Sequence, residues 1–537
     1  MIASDGVGYY HYLTDYFFPS HPATQSPDAE YLVRTDQGRY NKYPVGVALL
    51  LLPFFLLAFL WSGLAGLEPD PFSFPFQLAT GLAALFYLFL GAVFLYRLLL
   101  SYGSSGALAY GIVLTAVFGS NLLYYGLIAS SMSHVYSFFA LSGFALSMRQ
   151  FLLKGEGPLL LVSSIFLALV LLLRPANSLV VLCIPLLAGN SYVLSAAYTK
   201  VLRSGAYLWL ALGLGILMLG LQLLIWRHQS GEWLLYSYAH EGFYFQDPRW
   251  RELLFGFNKG LFVYTPLAAV PVICAVYGSL RGKLWAWSFM LFFLALTYVL
   301  SSWWCWNFAS GFGMRPFIDF YGIFCIPVVL VLMPLGRSYM RYLLLPLAIL
   351  VAFNCLQTYQ YRVGILHPNS MNAEKYRYVF LKTHRDYRQV LGGSFDLPPY
   401  PRGHLNLHSD WLHSDAFVSA ADPFLFTEEV EAGSIHSDSP WVYWKLKLDA
   451  SDEAPGASSS LFFVVTYSIG DSSSFYHAFP VNDLPEPEVG HRLERRHSLR
   501  SRAPTHEESV KVYLWNQSPG PIRFFHYHLG LWVIQRP

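Results

Sequence analysis

The sequence predicts an α-helical polytopic membrane protein of about ten spans plus a re-entrant or interfacial hairpin, followed by a C-terminal all-β sandwich. Three observations predict it. Hydrophobic residues make up 55% of the chain and charged residues only 13%, against roughly 25% charged in an ordinary soluble domain. The charges are also unevenly placed: 31 Asp, Glu, Lys and Arg fall in residues 1–359 and 37 in 360–537, about 9% against about 21%. After residue 359 the long apolar runs give way to short stretches of strand-like alternation. The chain therefore reads as a membrane-embedded domain over 1–359, with 1–75 as its first extracytoplasmic loop. A linker with a short helix follows over 360–415, then an extracytoplasmic β-sandwich over 416–537.

A helix crossing the ~30 Å hydrocarbon core needs about 20 apolar residues. Ten stretches meet or approach this: 78–96, 107–126, 131–148, 158–173, 176–190, 206–226, 260–279, 285–302, 317–335 and 342–359. Basic residues mark cytoplasmic loops. Alternate gaps hold Arg97, then Arg149 and Lys154, Lys200 and Arg203, Arg281 and Lys283, and Arg337 and Arg341. That set of gaps is assigned to the inside, which leaves the N-terminal 75 residues and everything after 359 outside. The stretch 43–66 is apolar enough to cross, but crossing would reverse the side of one flank. Pro44, Pro53, Glu68, Asp70 and Pro71 suit a hairpin returning to the outer face. An external N-terminal segment with no span before it also implies a further apolar helix upstream of Met1 in the natural chain.

Charges close to a membrane are costly and tend to be functional. The outer gaps carry Arg174, Lys259, Arg315, His134 and Asp319, and the first segment adds Asp5 and Lys42. This combination suits a site for an anionic, membrane-bound substrate: cations neutralise phosphate and a carboxylate serves as base. In SDGVGYYHYLTDYF, Asp5 is either the catalytic base or a helix-capping residue. Tyr9, Tyr12 and Tyr16 form an aromatic stripe suited to a lipid interface, with Tyr10 beside it. Lys42 is a phosphate ligand or a snorkelling lysine. His134 opens a span as a ligand, a proton carrier or a satisfied interfacial residue. Arg174, at an outer span end, runs against the positive-inside trend, and Lys259 opens a later span. In SSWWCWNFASGFGMRPFIDF, Trp303 and Trp306 are substrate aromatics or part of an interfacial belt. Arg315 and Asp319 are four apart, on one helix face, as a salt bridge or as a phosphate grip with its orienting carboxylate.

These segments, in this order, resemble the polytopic GT-C glycosyltransferases, closest to bacterial relatives of the protein O-mannosyltransferases and of the aminoarabinose transferase acting on lipid A. The resemblance covers about residues 1–335. It rests on Asp5 in SDGVGYYHYL, on NKYP at Lys42 to Pro44, on Arg174–Pro175, and on WWCWNFASGFGMR. It implies a polyprenyl-phosphate sugar as donor, with transfer to a glycan, lipid or protein acceptor on the outer side of the membrane and inversion at the anomeric carbon. Where many members carry a second acidic motif, this chain has MSH with His134, which leaves a divalent-metal requirement open.

In the C-terminal part, WVYWKLKLDA, SLFFVVTYSI, SVKVYLWNQ and FFHYHLGLWVI read as strands, with further ones at 417–430, 475–481 and 491–499. Six to eight strands argue for a sandwich, a jelly roll being one form. Trp441, Tyr443, Trp444, Trp515 and Trp532 are core residues or sugar-stacking platforms. A net charge of +2 excludes a strongly basic nucleic-acid binder, and no GxGxxG or Walker A loop is present. An O-antigen-type polymerase or ligase would need a large late outer loop, and here the largest is about 227–259. A transporter or flippase would carry mid-span charges, whereas these sit at span ends.

Overall fold

In the computed structural model the chain divides into two compact units, Met1–Thr358 and Tyr359–Pro537. The structure describes all residues except 1, 4, 20, 22–30, 36–37, 68–69, 240, 336, 400–404, 419–422, 436, 438, 453–459, 482–491, 519 and 535–537. Glu68, and parts of the expected strands 417–430 and 491–499, lie outside the described residues.

The first unit is helical, and it corrects the expected span count. Among the described residues six helices, not ten, are long and apolar enough to cross a membrane: Gly46–Leu64, Phe74–Leu100, Ala206–Ser230, Leu284–Ser301, Arg315–Leu332 and Tyr342–Arg362. The first of these also corrects the hairpin. Residues 46–64 form one continuous helix through Pro53, an interior proline of the kind apolar helices tolerate when neighbours stabilise the freed backbone.

The other expected spans are short or broken, each for a local reason. The run 107–126 ends as a helix at Phe118 and restarts for six residues at Leu122–Leu127. Gly157–Leu173 has 17 residues and stops at Arg174, whose extended backbone (φ −157°) precedes Pro175, as the steric demand of a following proline favours. The chain then winds as a 3₁₀ helix, Pro175–Cys183, and a five-residue turn of α-helix, Ile184–Ala188. Pro266 likewise splits 260–279 into Leu261–Tyr264 and Ala269–Leu280.

Ser133–Lys154 is long enough but polar, and it forms the centre of the unit: 18 of its 22 residues are buried. It packs against Phe74–Leu100 and Gly157–Leu173. Gly91 makes the first approach close, because a Cβ there would lie 2.8 Å from the Phe138 ring. Arg149, read above as a loop charge, is 7% exposed. Its Nη1 donates to the carbonyls of Leu187 (2.8 Å) and Ala188 (2.6 Å), and its guanidinium lies 4.1 Å from the Tyr102 ring centroid. It therefore caps the end of a short helix, where a cation is favoured.

The second unit holds a helix, Ala373–Val379, and the strands β3 (Asp396–Leu397), β4 (Leu405–Val418), β5 (Phe424–Glu431), β6 (Trp441–Asp452), β7 (Leu461–Ile469), β8 (Ser472–Pro480), β9 (Arg492–Arg502), β10 (Ser509–Asn516) and β11 (Ile522–Ile534); β1 (Leu32–Thr35) and β2 (Gly38–Asn41) form a hairpin in the first unit. The expected sandwich is corrected: the strands form two open antiparallel sheets, ordered β5-β10-β7-β8 and β3-β9-β6-β11-β4. Among the described residues no strand pairs across from one sheet to the other, so the edges remain. β4 begins inside the stretch expected as linker and pairs along β11. Strand alternation puts Val442, Trp444, Leu446, Leu448 and Ala450 of β6 into the apolar core, with Tyr443, Lys445 and Lys447 on the other face. Trp444 is thus a core residue, its Nε1 donating to Ser501 Oγ at 2.8 Å.

Candidate functional site

The helical unit gathers charged groups at the ends of its helices. Asp5 begins the helix Asp5–Phe17. That helix sits deep because it has glycine where it meets its neighbours: a Cβ on Gly8 would fall 2.7 Å from Tyr43 Cε2. Asp5 Oδ2 accepts from Arg315 Nη2 at 2.8 Å, with side-chain exposures of 33% and 10%. Burial by itself pushes the Asp5 carboxyl up. Arg315, a hydrogen bond from Tyr43 and the charges of His134 and Arg174 outweigh it and hold the carboxyl below its usual range.

A second cluster centres on Asp319, which is fully buried. His134 Nδ1 lies 2.8 Å from Asp319 Oδ1, Asn177 Nδ2 donates to Oδ2 at 2.8 Å, and Arg174 Nη1 is 3.5 Å from Oδ2. Arg174 Nη1 is also 3.1 Å from His134 Nδ1. A nitrogen bearing the proton for Asp319 cannot also accept from Arg174, so the Asp319 carboxylate is the group that the His134 ring and Arg174 both face. Tyr125 and Tyr9 join the clusters. The Tyr125 ring stands edge-on to His134 at 5.0 Å while its hydroxyl accepts from Phe312 N at 3.1 Å, and Tyr9 Oη reaches Ser133 Oγ at 3.3 Å.

The structure therefore separates Arg315 from Asp319, whose expected place on one α-helix face is corrected. Both lie on a tight 3₁₀ turn, Arg315–Phe320, and each turns to a different partner. The expected interfacial stripe is corrected too. Tyr9 and Tyr10 are 5% and 1% exposed. Tyr9 packs on Tyr43 (centroids 4.6 Å apart), and Tyr10 donates to Pro71 O at 2.9 Å. Tyr16 alone of the stripe is fully open to the surroundings.

Lys42 pairs with Glu241 at 2.7 Å. Glu241 Oε2 also accepts from Trp304 Nε1 at 3.3 Å, and Trp303 packs edge-on against Phe243 at 4.8 Å. The segment around 236–245 thus lies over the Asp5 neighbourhood, with Tyr238 against Tyr43 and Trp303. Trp306 packs on the helical core.

Lys259 is 3% exposed, and its backbone sits in the left-handed region at φ +70°, an unusual cost for a side chain with a Cβ and a mark of sites where position matters. Its Nζ donates to Asn307 O at 3.4 Å. Burial, and then the positive charge of Arg315, push its ammonium down to about 7.

The balance of charge is informative. Three carboxylates, Asp5, Glu241 and Asp319, face four cations, Lys42, Arg174, Lys259 and Arg315. Each carboxylate has its cation, and Lys259 has none among the described residues. Arg315 Nη1 is buried and has no hydrogen-bond partner. An unmatched cation and a buried unused donor side by side suit an anionic ligand. Among the described residues no three His, Cys, Asp or Glu side chains converge to hold a metal ion.

Sequence reasoning missed Tyr43, Asn177, Glu241 and Tyr125. Asn177, in RPAN after Arg174, and Tyr43, in NKYP beside Lys42, carried a local signal; Glu241 and Tyr125 join the site through long-range packing. No family model matches this chain, and no curated protein matches it.

If Lys259 serves an anion, its protonation should set affinity. Its charge is lost as pH rises through about 7, so binding of an anionic ligand should weaken several-fold between pH 6 and 8. Titration of the wild type and of Lys259→Met at several pH values checks this, and the variant should show a flat profile.

Proposed function

We propose that the chain is a membrane glycosyltransferase that takes a sugar from a polyprenyl-phosphate donor and transfers it, with inversion, to a glycan, lipid or protein acceptor on the extracytoplasmic face. The observation that carries this reading is the free Nη1 of buried Arg315, whose Nη2 is bonded to the Asp5 carboxylate at 2.8 Å and whose charge acts on Lys259. In this reading Arg315 and Lys259 hold the donor's phosphate and stabilise the charge that grows on it as the glycosidic bond breaks. Asp5 takes the acceptor's hydroxyl proton.

Bound to Arg315, Asp5 is a weak base. A donor phosphate that engages the guanidinium brings negative charge next to Asp5 and loosens that pair, and both effects raise its basicity. The base is thus strengthened only when the donor is present. His134, Asn177 and Arg174 hold Asp319 away from the phosphate, so Asp319 acts as a positioning anchor. The GT-C resemblance of Asp5 and Arg315 supports the same assignment.

The test is incubation of the purified protein in detergent with polyprenyl-phosphate hexoses and candidate acceptors, read by mass spectrometry. A hexose mass gain on an acceptor, with release of polyprenyl phosphate and the inverted anomer, is expected; failure to consume any lipid-linked sugar overturns the reading.

The reading also sets the sidedness. It places both chain ends on the extracytoplasmic side. Thr35→Cys and Ser472→Cys, at exposed positions of the two units, should both react with a membrane-impermeant thiol reagent in intact cells, in a background lacking the native cysteines. Labelling at one alone would overturn the shared outer placement.

A further inference from the structure

The outward face of the five-stranded sheet in the second unit carries a groove of about 310 Å³, at the lower end of small-molecule sites (roughly 300–1,000 Å³). Strand register builds it in three rows. Arg496 of β9, Lys447 of β6 and His528 of β11 stand side by side, and the next row is Ser498, Lys445, Gly530 and Asp410. Tyr443 and Trp532 occupy the third. Alternation sends all of these side chains to the face opposite the apolar core. Gly530 makes the floor: a Cβ there would lie 2.7 Å from Trp532 Nε1, so any side chain would fill the depression and displace the indole.

The charge of the groove is one-sided. Its single carboxylate, Asp410, is bonded to His528 Nε2. Lys447 and Arg496 have no hydrogen-bond or ion-pair partner for their side chains among the described residues. Lys445 Nζ lies 3.8 Å from the Trp532 ring centroid, where the π face attracts it. The groove thus offers unmatched cations at one end and a half-buried aromatic plate that begins over Gly530, two residues or about 7 Å along β11 at ~3.4 Å per residue. Beside them the Asp410–His528 pair leaves a carboxylate oxygen and the second ring nitrogen of His528 able to bond hydroxyls. Separated charge, hydroxyl-bonding groups and an aromatic plate match a ligand that is anionic, polyhydroxylated and longer than one ring.

We propose that this face binds an anionic oligosaccharide, one bearing carboxylate or phosphate groups, with Lys447 and Arg496 holding the anion and Trp532 packing on a sugar ring. This is independent of the transfer reaction proposed above, because it concerns other residues and is read by binding alone.

The experiment is calorimetric titration of the full-length protein in detergent with a galacturonate tetramer, its fully methyl-esterified form, maltotriose 6-phosphate and inorganic phosphate. Binding of the uronate or of the phosphorylated sugar is expected, the pair distinguishing which anion is read, with the ester at least about tenfold weaker. Lys447→Ala with Arg496→Ala should weaken the charged sugar at least about tenfold and raise its independence from salt, and Trp532→Ala should weaken it while leaving the melting temperature unchanged. Binding of neither charged sugar, equal binding of ester and acid, inorganic phosphate bound as tightly as the sugars, or full affinity retained in a folded Lys447→Ala/Arg496→Ala variant would each overturn the proposal.

Discussion

Asp5→Asn is expected to lower turnover by about 10²–10⁴-fold, the usual worth of a general base, without weakening donor binding. The carboxylate and the donor phosphate compete for Arg315 in the proposed site, so removing the carboxylate's charge should leave donor affinity equal or slightly higher. Arg315→Lys should do the reverse. It keeps a positive charge but loses the two-pronged donor geometry, and donor KM should rise by about 10-fold or more, the scale of a hydrogen bond to a charged group. The pH profile offers a further check. Arg315 holds the free protein's Asp5 carboxyl below its ordinary range, so kcat/KM should fall only under strongly acid conditions. With donor bound, the added negative charge moves the same group up, so the acid limb of kcat should lie at higher pH than that of kcat/KM. Steady-state kinetics from pH 4 to 8 on wild type and on Asp5→Asn would read this. Near-normal turnover of Asp5→Asn at saturating substrates would place the base elsewhere.

Asp319→Ala is expected to destabilise the helical unit by about 3–5 kcal/mol, the scale for breaking a buried ion pair from one side. Asp319 is fully buried and accepts from three groups on three separate chain segments: His134, Asn177 and Arg174. Its removal leaves Arg174 and the His134 ring without their shared acceptor. A large drop in melting temperature in detergent should therefore accompany any loss of activity, larger than that of Asp5→Asn, whose side-chain amide oxygen can still accept from Arg315. Asp319→Ala with an unchanged melting temperature and a selective loss of donor affinity would assign Asp319 to the phosphate site itself.

Much of this was legible in the sequence, and the boundary between what was and was not legible is physical. Composition and charge density are sums over many residues, so single misreadings hardly move them, and they read a helical, apolar region followed by a separate β-rich one, as the two units are. Alternation along WVYWKLKLDA and FFHYHLGLWVI is a local property of a strand, and it identified β6 and β11. Span counting failed because a run of apolar residues records where lipid or core is tolerated, not whether the helix is continuous. Pro175 and Pro266 break apolar runs that look uninterrupted in composition, and Pro53 does not. β4 escaped because LNLHSDWLHSDAFV carries little alternation of its own; its place is set by pairing with β11.

The site divides in the same way. The sequence determined which residues were available: charged side chains left among apolar runs, Asp5, Lys42, His134, Arg174, Lys259, Arg315 and Asp319, each expensive enough in that setting to require a partner or a purpose. Only the tertiary structure decided the partners. Arg315 and Asp319 are four apart and were expected on one α-helix face. Yet a 3₁₀ turn rotates successive residues by more than an α-helix does, and Asp5 and His134, distant in sequence, present better partners at 2.8 Å each. Pairing of buried charges is a competition among everything within a few ångströms, and the chain alone does not state what those ångströms contain. That competition left Lys259 and one nitrogen of Arg315 unmatched, which no count of residues could have shown.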